Sequence, residues 1–211
     1  MHHTGFSHEF FHMNRHIVLA SGSEIRQRLL RNAGVAFEPM PVKVDEQAMR
    51  DAMVAEAAPP RDIADQLAEQ KAVRAAQKHP GAVVIGCDQV LEFQSSVLSK
   101  PADRPELLRQ LQAMTGKTHM LHSAAVIFEN AQPVWRHVGT VNLQMRRSSA
   151  EYLEAYINRN WPEVGECVGG YKLEEEGVRL FHRIDGDYFN VLGLPLLEIL
   201  SYLTLRRWIP G

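Results

Sequence analysis

Ile17-Val18-Leu19-Ala20-Ser21-Gly22-Ser23-Glu24-Ile25-Arg26-Gln27-Arg28 decides how the chain is read. Four apolar residues suit a strand buried on both faces. Ile25, Leu29, Leu30 and Ala33 then recur at helical spacing. A strand that turns sharply into a helix leaves backbone N–H groups free at the helix start, where they attract anions. Gly22 lets a ligand approach the backbone closely. Ser21 and Ser23 add hydroxyls, and Arg26 adds a planar cationic fork suited to phosphate. The same serines would also serve as ordinary N-caps.

Downstream, Val35 to Val44 reads as extended, with Pro39 and Pro41 marking an edge or irregular strand. It ends at Asp45-Glu46, two adjacent carboxylates that are either solvated or positioned to hold a divalent cation. Residues 47–61 are rich in Ala and Pro and carry no clear period. A helix is expected from Asp62 to about Lys78, with Ala64, Leu67, Ala68 and Ala72 on one face. Lys71 emerges beside that face, so its stem can pack while its ammonium reaches a cleft. Ala82-Val-Val-Ile-Gly-Cys87 is the clearest buried strand, and it leads directly to Asp88-Gln89. Ligands in α/β sheets lie beyond strand carboxyl ends, so Asp88 is either a site residue or a turn cap.

The C-terminal half follows in smaller pieces. Val90 to Leu98 reads as a hairpin that delivers Ser99-Lys100-Pro101. Pro105 to Met114 is an amphipathic helix. Thr115-Gly-Lys-Thr118 looks like the end of a P-loop but lacks the leading glycine and the strand–loop–helix context. Two strands are expected over Met120 to Phe128 and Val134 to Arg146, and His119 and His122 read as strand residues. Ser148-Ser-Ala-Glu151 reads as a capping box. Gly169-Gly170-Tyr171-Lys172 reads as a flexible charged turn, Val178 to Ile184 as a short strand, and Pro195 as opening the last helix.

The bulk numbers narrow the function. A net charge of −2 argues against broad nucleic-acid binding, and 211 residues suit one large domain or two small lobes. No apolar run reaches the ~20 residues of a membrane span. The two cysteines, Cys87 and Cys167, form no metal or disulfide pattern, which fits a cytoplasmic setting. Residues 1–15, with His2, His3, His8 and His12, match no metal motif and are expected to be a flexible extension. Residues 16–207 are expected to form a single domain, α/β in the broad sense (α+β mixed), with a mixed, twisted sheet flanked by helices.

Taken together, Leu19-Ala-Ser-Gly-Ser23 with Arg26, Val44-Asp-Glu46, Ala68-Glu-Gln-Lys71, Ile85-Gly-Cys-Asp88-Gln89, Ser99-Lys100-Pro101, Thr115-Gly-Lys-Thr118, Gly169-Gly-Tyr171 and Asp185-Gly-Asp187-Tyr-Phe-Asn190 resemble the Maf family of nucleoside triphosphate pyrophosphatases. The matches keep the family's order over roughly residues 16–205. The resemblance implies an elongated mixed sheet in two lobes around a central cleft, a divalent metal cation (Mg²⁺ or Mn²⁺) and a homodimer. It implies that a nucleoside triphosphate is cut to its monophosphate and pyrophosphate. Carried over by position, Asp88 is the catalytic acid residue, with Lys71 and Lys100 beside it. Ser21, Arg26, Lys71 and Lys100 match phosphate-contacting positions, with Ser23 on the same turn as a further substrate contact, and Glu46, with Asp88, lies near the metal. Glu24 stands where the family usually has Pro, and Gln27 where a second basic residue is common.

Three positions associated with base preference in the family are Ile25, Gln89 and Glu174. Members preferring dTTP and UTP tend to carry Arg, Thr and Gln there, and members preferring 7-methyl-GTP tend to carry Trp, Gln and Glu. Gln89, Glu174 and the neighbouring Lys172 point to 7-methyl-GTP, whereas Ile25 lacks the aromatic face that would favour a cationic base. The competing readings are a dTTP- or UTP-preferring enzyme, a non-catalytic nucleotide-binding regulator of septum formation, and a loop of solvated acids at Glu174-Glu175-Glu176.

Overall fold

A computed structural model describes residues 15–211. The extension expected over residues 1–15, apart from Arg15, lies outside the described residues. Among the described residues, no helix is long and apolar enough to cross a membrane.

Seven strands form one mixed sheet. Strand β1 (Ile17–Ala20) pairs in parallel with β2 (Glu38–Pro39) on one side and with β3 (Val83–Phe93) on the other. The remaining pairings are antiparallel. β3 meets β4 (Ser96–Leu98) and β5 (Thr118–Glu129), β5 meets β6 (Gln132–Met145), and β6 meets β7 (Phe181–Asp185). At ~3.3 Å per residue, the 14 residues of β6 span roughly 45 Å, which makes the sheet elongated.

Helices cover both faces. Helix α3 (Pro60–Ala76) packs through Ile63, Ala64, Leu67, Ala68 and Ala72 against Val18, Ala20, Val84 and Val126. The other face holds Leu19, Ile85, Leu91 and Leu121 under α1 (Glu24–Asn32), α4 (Arg104–Met114), α5 (Ala150–Asn160) and, after the single turn α6 (Tyr188–Val191), α7 (Leu196–Leu205). Burial on both sides explains why β1 is apolar at every position instead of alternating.

Several local expectations need correction. Residues 46–55 are a helix, α2 (Glu46–Ala55), capped by Asp45, whose carboxylate accepts from Ala48 N at 3.1 Å. Glu46 is therefore a first-turn helix residue and not the end of a strand. The cap of α5 is Ser149, one residue later than the box read from sequence. The Gly169–Gly170 turn is buried, not flexible. Both glycines have positive φ (79° and 68°), and a Cβ on Gly170 would strike Leu107 of α4. Residues 176–180 form a 3₁₀ turn, so the strand expected from Val178 begins only at Phe181.

His119, on β5, is buried against this turn, with Nε2 2.7 Å from the Tyr171 hydroxyl. Burial lowers its pKa from 6.5 to about 4. Between those values the unfolded chain takes up a proton that the folded chain refuses, so stability falls as pH falls. The cost at pH 4 is on the order of 3 kcal/mol. Urea unfolding at pH 7 and pH 4 should show His119→Gln losing much less stability than the wild type. An equal loss in both would remove His119 as the cause.

Candidate active site

The site follows from a gap in the sheet edge. β1 stays in register with β3 only as far as Ala20 opposite Gly86, and β4 joins the same edge only at Leu91. Between them the edge of β3 from Cys87 to Val90 is open. Asp88 is thus a mid-strand residue, paired on its other side with Ala124 of β5. This corrects both the strand-end placement and the turn-cap alternative.

A cleft of about 690 Å³ lies over this gap. Ser21, Ser23, Ile25 and Arg26 line it from the β1–α1 turn, and Glu46 and Lys71 from α2 and α3. Asp88, Gln89 and Lys100 line its floor and side, and Lys172 and Glu174 face it from the turn after Tyr171. Every candidate site residue from the sequence therefore borders one cavity.

Its centre is a buried cation between two acids. Lys71 Nζ lies 2.6 Å from Asp88 Oδ1 and 2.8 Å from Glu46 Oε1. α3 can deliver the amine there because Gly86 carries no side chain. A Cβ on Gly86 would meet the Ala68 carbonyl oxygen and stand 2.6 Å from Ala72 N. Burial pushes the Lys71 pKa down most strongly of any single influence, but the charges of Asp88 and Glu46 and the hydrogen bond to Asp88 together outweigh it, and the pKa rises. Partial burial would raise the Glu46 carboxyl, but Lys71 outweighs it and the pKa falls. Lys71 is thereby held protonated and Glu46 ionised at neutral pH.

Asp88 is 4% exposed, and its second oxygen, Oδ2, is buried with no hydrogen-bond partner. Such an atom in a cleft wall is suited to a water, a proton or a cation. Glu46 sits at the same amine with its side chain 41% exposed. The pair is an all-oxygen donor set of the kind Mg²⁺ or Mn²⁺ accepts, so these residues fit a divalent cation. Among the described residues, His16, Glu38 and His79 also form a group able to hold a metal, but it lies at the opposite ends of β1 and β3, away from the cleft.

Arg26 behaves differently from the free phosphate fork expected of it. Nε donates to Gly193 O at 2.7 Å, and Nη1 donates to Cys87 O at 3.1 Å and to Ser21 Oγ at 3.4 Å. It fills the gap in the sheet edge and fastens the β1–α1 turn to β3 and to the loop before α7. Ser23 occupies the N-cap of α1 without a side-chain capping bond, which leaves its hydroxyl available. Glu24 is the first residue of α1 and lines the cleft.

The acids after Tyr171 separate by partner. Glu176 is bound by Arg159 and Asn160, whose hydrogen bonds hold its carboxyl down at about 2. Glu175 meets Lys172 at 3.4 Å. Glu174 faces the cleft with its side chain 16% exposed and touches only Arg28, loosely, at 3.5 Å. Gln89 donates its amide nitrogen to Ser123 Oγ, Asn190 O and Val191 O, each at 3.0 Å, which leaves its carbonyl oxygen as the group available to a ligand.

Two cations were missed from the sequence. Arg28 shares α1 with Ile25, three residues away. Arg50 lies one turn after Glu46 on a helix that the Ala-rich composition concealed.

The Maf-like protein family matches residues 16–206. A nucleoside triphosphate pyrophosphatase of Ruegeria pomeroyi is 60% identical over 190 residues, covering 90% of this chain and 96% of the relative. A protein of the same name from Roseobacter denitrificans is 56% identical, covering 94% of this chain and 100% of the relative. A 7-methyl-GTP pyrophosphatase of Brucella abortus is 43% identical, covering 92% and 98%.

Proposed function

This chain belongs to the Maf-like protein family, and from that premise we propose that it hydrolyses a nucleoside triphosphate to the monophosphate and pyrophosphate. The observation that carries the reading is the Lys71-bridged pair of Asp88 and Glu46, with Asp88 Oδ2 left without a hydrogen-bond partner among the described residues.

In the proposed step a water attacks the α-phosphorus. A new P–O bond forms as the bond from that phosphorus to the α–β bridging oxygen breaks. Asp88 Oδ2 orients the water and takes its proton. The leaving pyrophosphate departs with the bond's electron pair. Lys71 holds Asp88 in place, and Lys100 reaches the phosphates by releasing Glu166, a contact of only 3.8 Å. The Ser23 hydroxyl and the N–H groups at the start of α1 bind phosphate oxygens. A divalent cation held by Glu46 and Asp88 would add positive charge against the triphosphate oxygens.

Chelation is expected to abolish pyrophosphate release, and Mg²⁺ or Mn²⁺ to restore it. Glu46→Gln should need about tenfold more cation for half-maximal rate. An unchanged requirement would take Glu46 out of the metal site.

For the base, the proposal is a guanine ring, 7-methylated. Gln89 offers an acceptor, and Glu174 offers an anionic acceptor. Guanine presents N1–H and an exocyclic amine on one edge, whereas uracil and thymine present a single ring donor between two acceptors. Methylation at N7 adds positive charge, which Glu174 also favours. The test is a rate comparison across 7-methyl-GTP, GTP, UTP and dTTP. 7-Methyl-GTP should lead, and Glu174→Gln should cut its kcat/KM about tenfold while leaving UTP nearly unchanged. Leadership by UTP or dTTP would sink the base assignment and leave the hydrolytic reading intact.

A further inference from the structure

α2 buries one residue, and that residue is charged. Arg50 is 9% exposed, while the rest of its helix is half-buried or exposed. Its guanidinium lines the cleft. Nη1 donates to Ser99 Oγ at 3.2 Å, and Nε is buried with no hydrogen-bond partner among the described residues. Among the described residues no carboxylate lies within ion-pairing distance of it. Glu46, one turn earlier, feels its charge but is bound by Lys71.

A buried cation without a counter-ion is unfavourable and is retained where an anion arrives to complete it. Neighbouring groups indicate which anion. Arg50 hangs from Ser99, next to Lys100, and shares a helix with Glu46. The candidate base-reading groups, Ile25, Gln89 and Glu174, come from other elements. Arg50 therefore stands among groups that the proposed reaction assigns to the phosphates and the cation, Lys100 and Glu46, on an element that carries no base-reading group.

We infer that Arg50 is the counter-ion of the pyrophosphate half of the substrate, forming the subsite that holds the β- and γ-phosphates and then the released pyrophosphate. This rests on the hydrolytic reading proposed above. The planar fork can take two phosphate oxygens at once, with Nε and the second terminal nitrogen free for that purpose. It also opposes the negative charge that grows on the leaving group as the α–β bond breaks.

The test uses the full-length protein with Mg²⁺. Binding of inorganic pyrophosphate and of GMP is measured by calorimetry for wild type, Arg50→Met and Arg50→Lys, and pyrophosphate release from the nucleotide panel is measured for wild type alongside. Arg50→Met should weaken pyrophosphate binding about tenfold or more and leave GMP unchanged. Its ligand-free Tm should equal or exceed that of the wild type, because an uncompensated charge is gone. A merely structural arginine would instead lower Tm and weaken both ligands, which overturns the inference. Arg50→Lys keeps the charge without the fork, should fold in any case, and should bind pyrophosphate at least about threefold more weakly. Wild-type pyrophosphate affinity in the lysine variant, from an enzyme that still hydrolyses nucleotides, overturns the subsite and spares the hydrolytic reading. A wild type that releases no pyrophosphate from any nucleotide overturns both.

Discussion

Asp88→Asn is expected to lower pyrophosphate release by about 10²–10⁴-fold, the range typical for loss of a positioned general base. The substitution keeps the shape of the side chain and its contact with Lys71, but Oδ2 is replaced by an amide nitrogen or a neutral oxygen. Neither can take a proton from water at neutral pH. The fold should tolerate the change, because Lys71 keeps its second acid, Glu46, at 2.8 Å. The nucleotide should still meet Lys100 and the N–H groups at the start of α1, which the substitution leaves in place, while a cation shared with Asp88 would be held less tightly. The check is pyrophosphate release at saturating nucleotide, with a thermal melt to confirm folding. A variant retaining more than about a tenth of the wild-type rate would exclude Asp88 as the proton acceptor.

Gly86→Val is expected to give the largest loss of stability. A single Cβ at Gly86 already meets the Ala68 carbonyl and the Ala72 backbone nitrogen and Cβ, the last at 2.8 Å. These are helix backbone atoms on a fully buried face, with no flexible side-chain end to move aside. Valine adds two more carbons, so α3 must lift from the sheet. Overpacking of this kind costs about 3 kcal/mol or more. For a domain of this size that is roughly a 6–12 °C fall in Tm. Lys71 rides on the same helix one turn beyond Ala68, so its 2.6 Å contact with Asp88 should be lost as well. Activity should fall further than the unfolded fraction explains, and a melt run beside a rate measurement on the folded protein separates the two. A variant with wild-type Tm would show that α3 and β3 are less tightly apposed.

These two positions also show what was legible before the structure. Asp88 comes directly after Ala82-Val-Val-Ile-Gly-Cys87, the clearest buried run in the sequence, so it stands out by chemistry. Its true position, in mid-strand, depends on where other strands stop. β1 ends opposite Gly86, and β4 begins opposite Leu91. Those limits are set by pairing between segments distant in sequence and leave no local mark.

Lys71 was readable because Ala64, Leu67, Ala68 and Ala72 define a buried face and the lysine falls beside it. α2 was not. Only Met49 and Met53 pack partly on the core, and two residues at one spacing do not establish a period. With the helix went Arg50 and the correct setting of Glu46. Arg26 is legible as a cation in the turn, but its partners within the chain are not. Its acceptors, Gly193 O and Cys87 O, are 167 and 61 positions away, and a carbonyl acceptor has no residue signature. The glycine pair before Tyr171 was taken for flexibility, although the positive φ values serve to seat a buried turn against α4.

The most direct test of the central claim is to run the reaction in ¹⁸O-labelled water and locate the label by mass spectrometry. Attack at the α-phosphorus, beside Asp88, puts one labelled oxygen in the nucleoside monophosphate and none in the pyrophosphate. Label in pyrophosphate, or in orthophosphate released with a nucleoside diphosphate, would place the attack at another phosphorus and contradict the role assigned to Asp88.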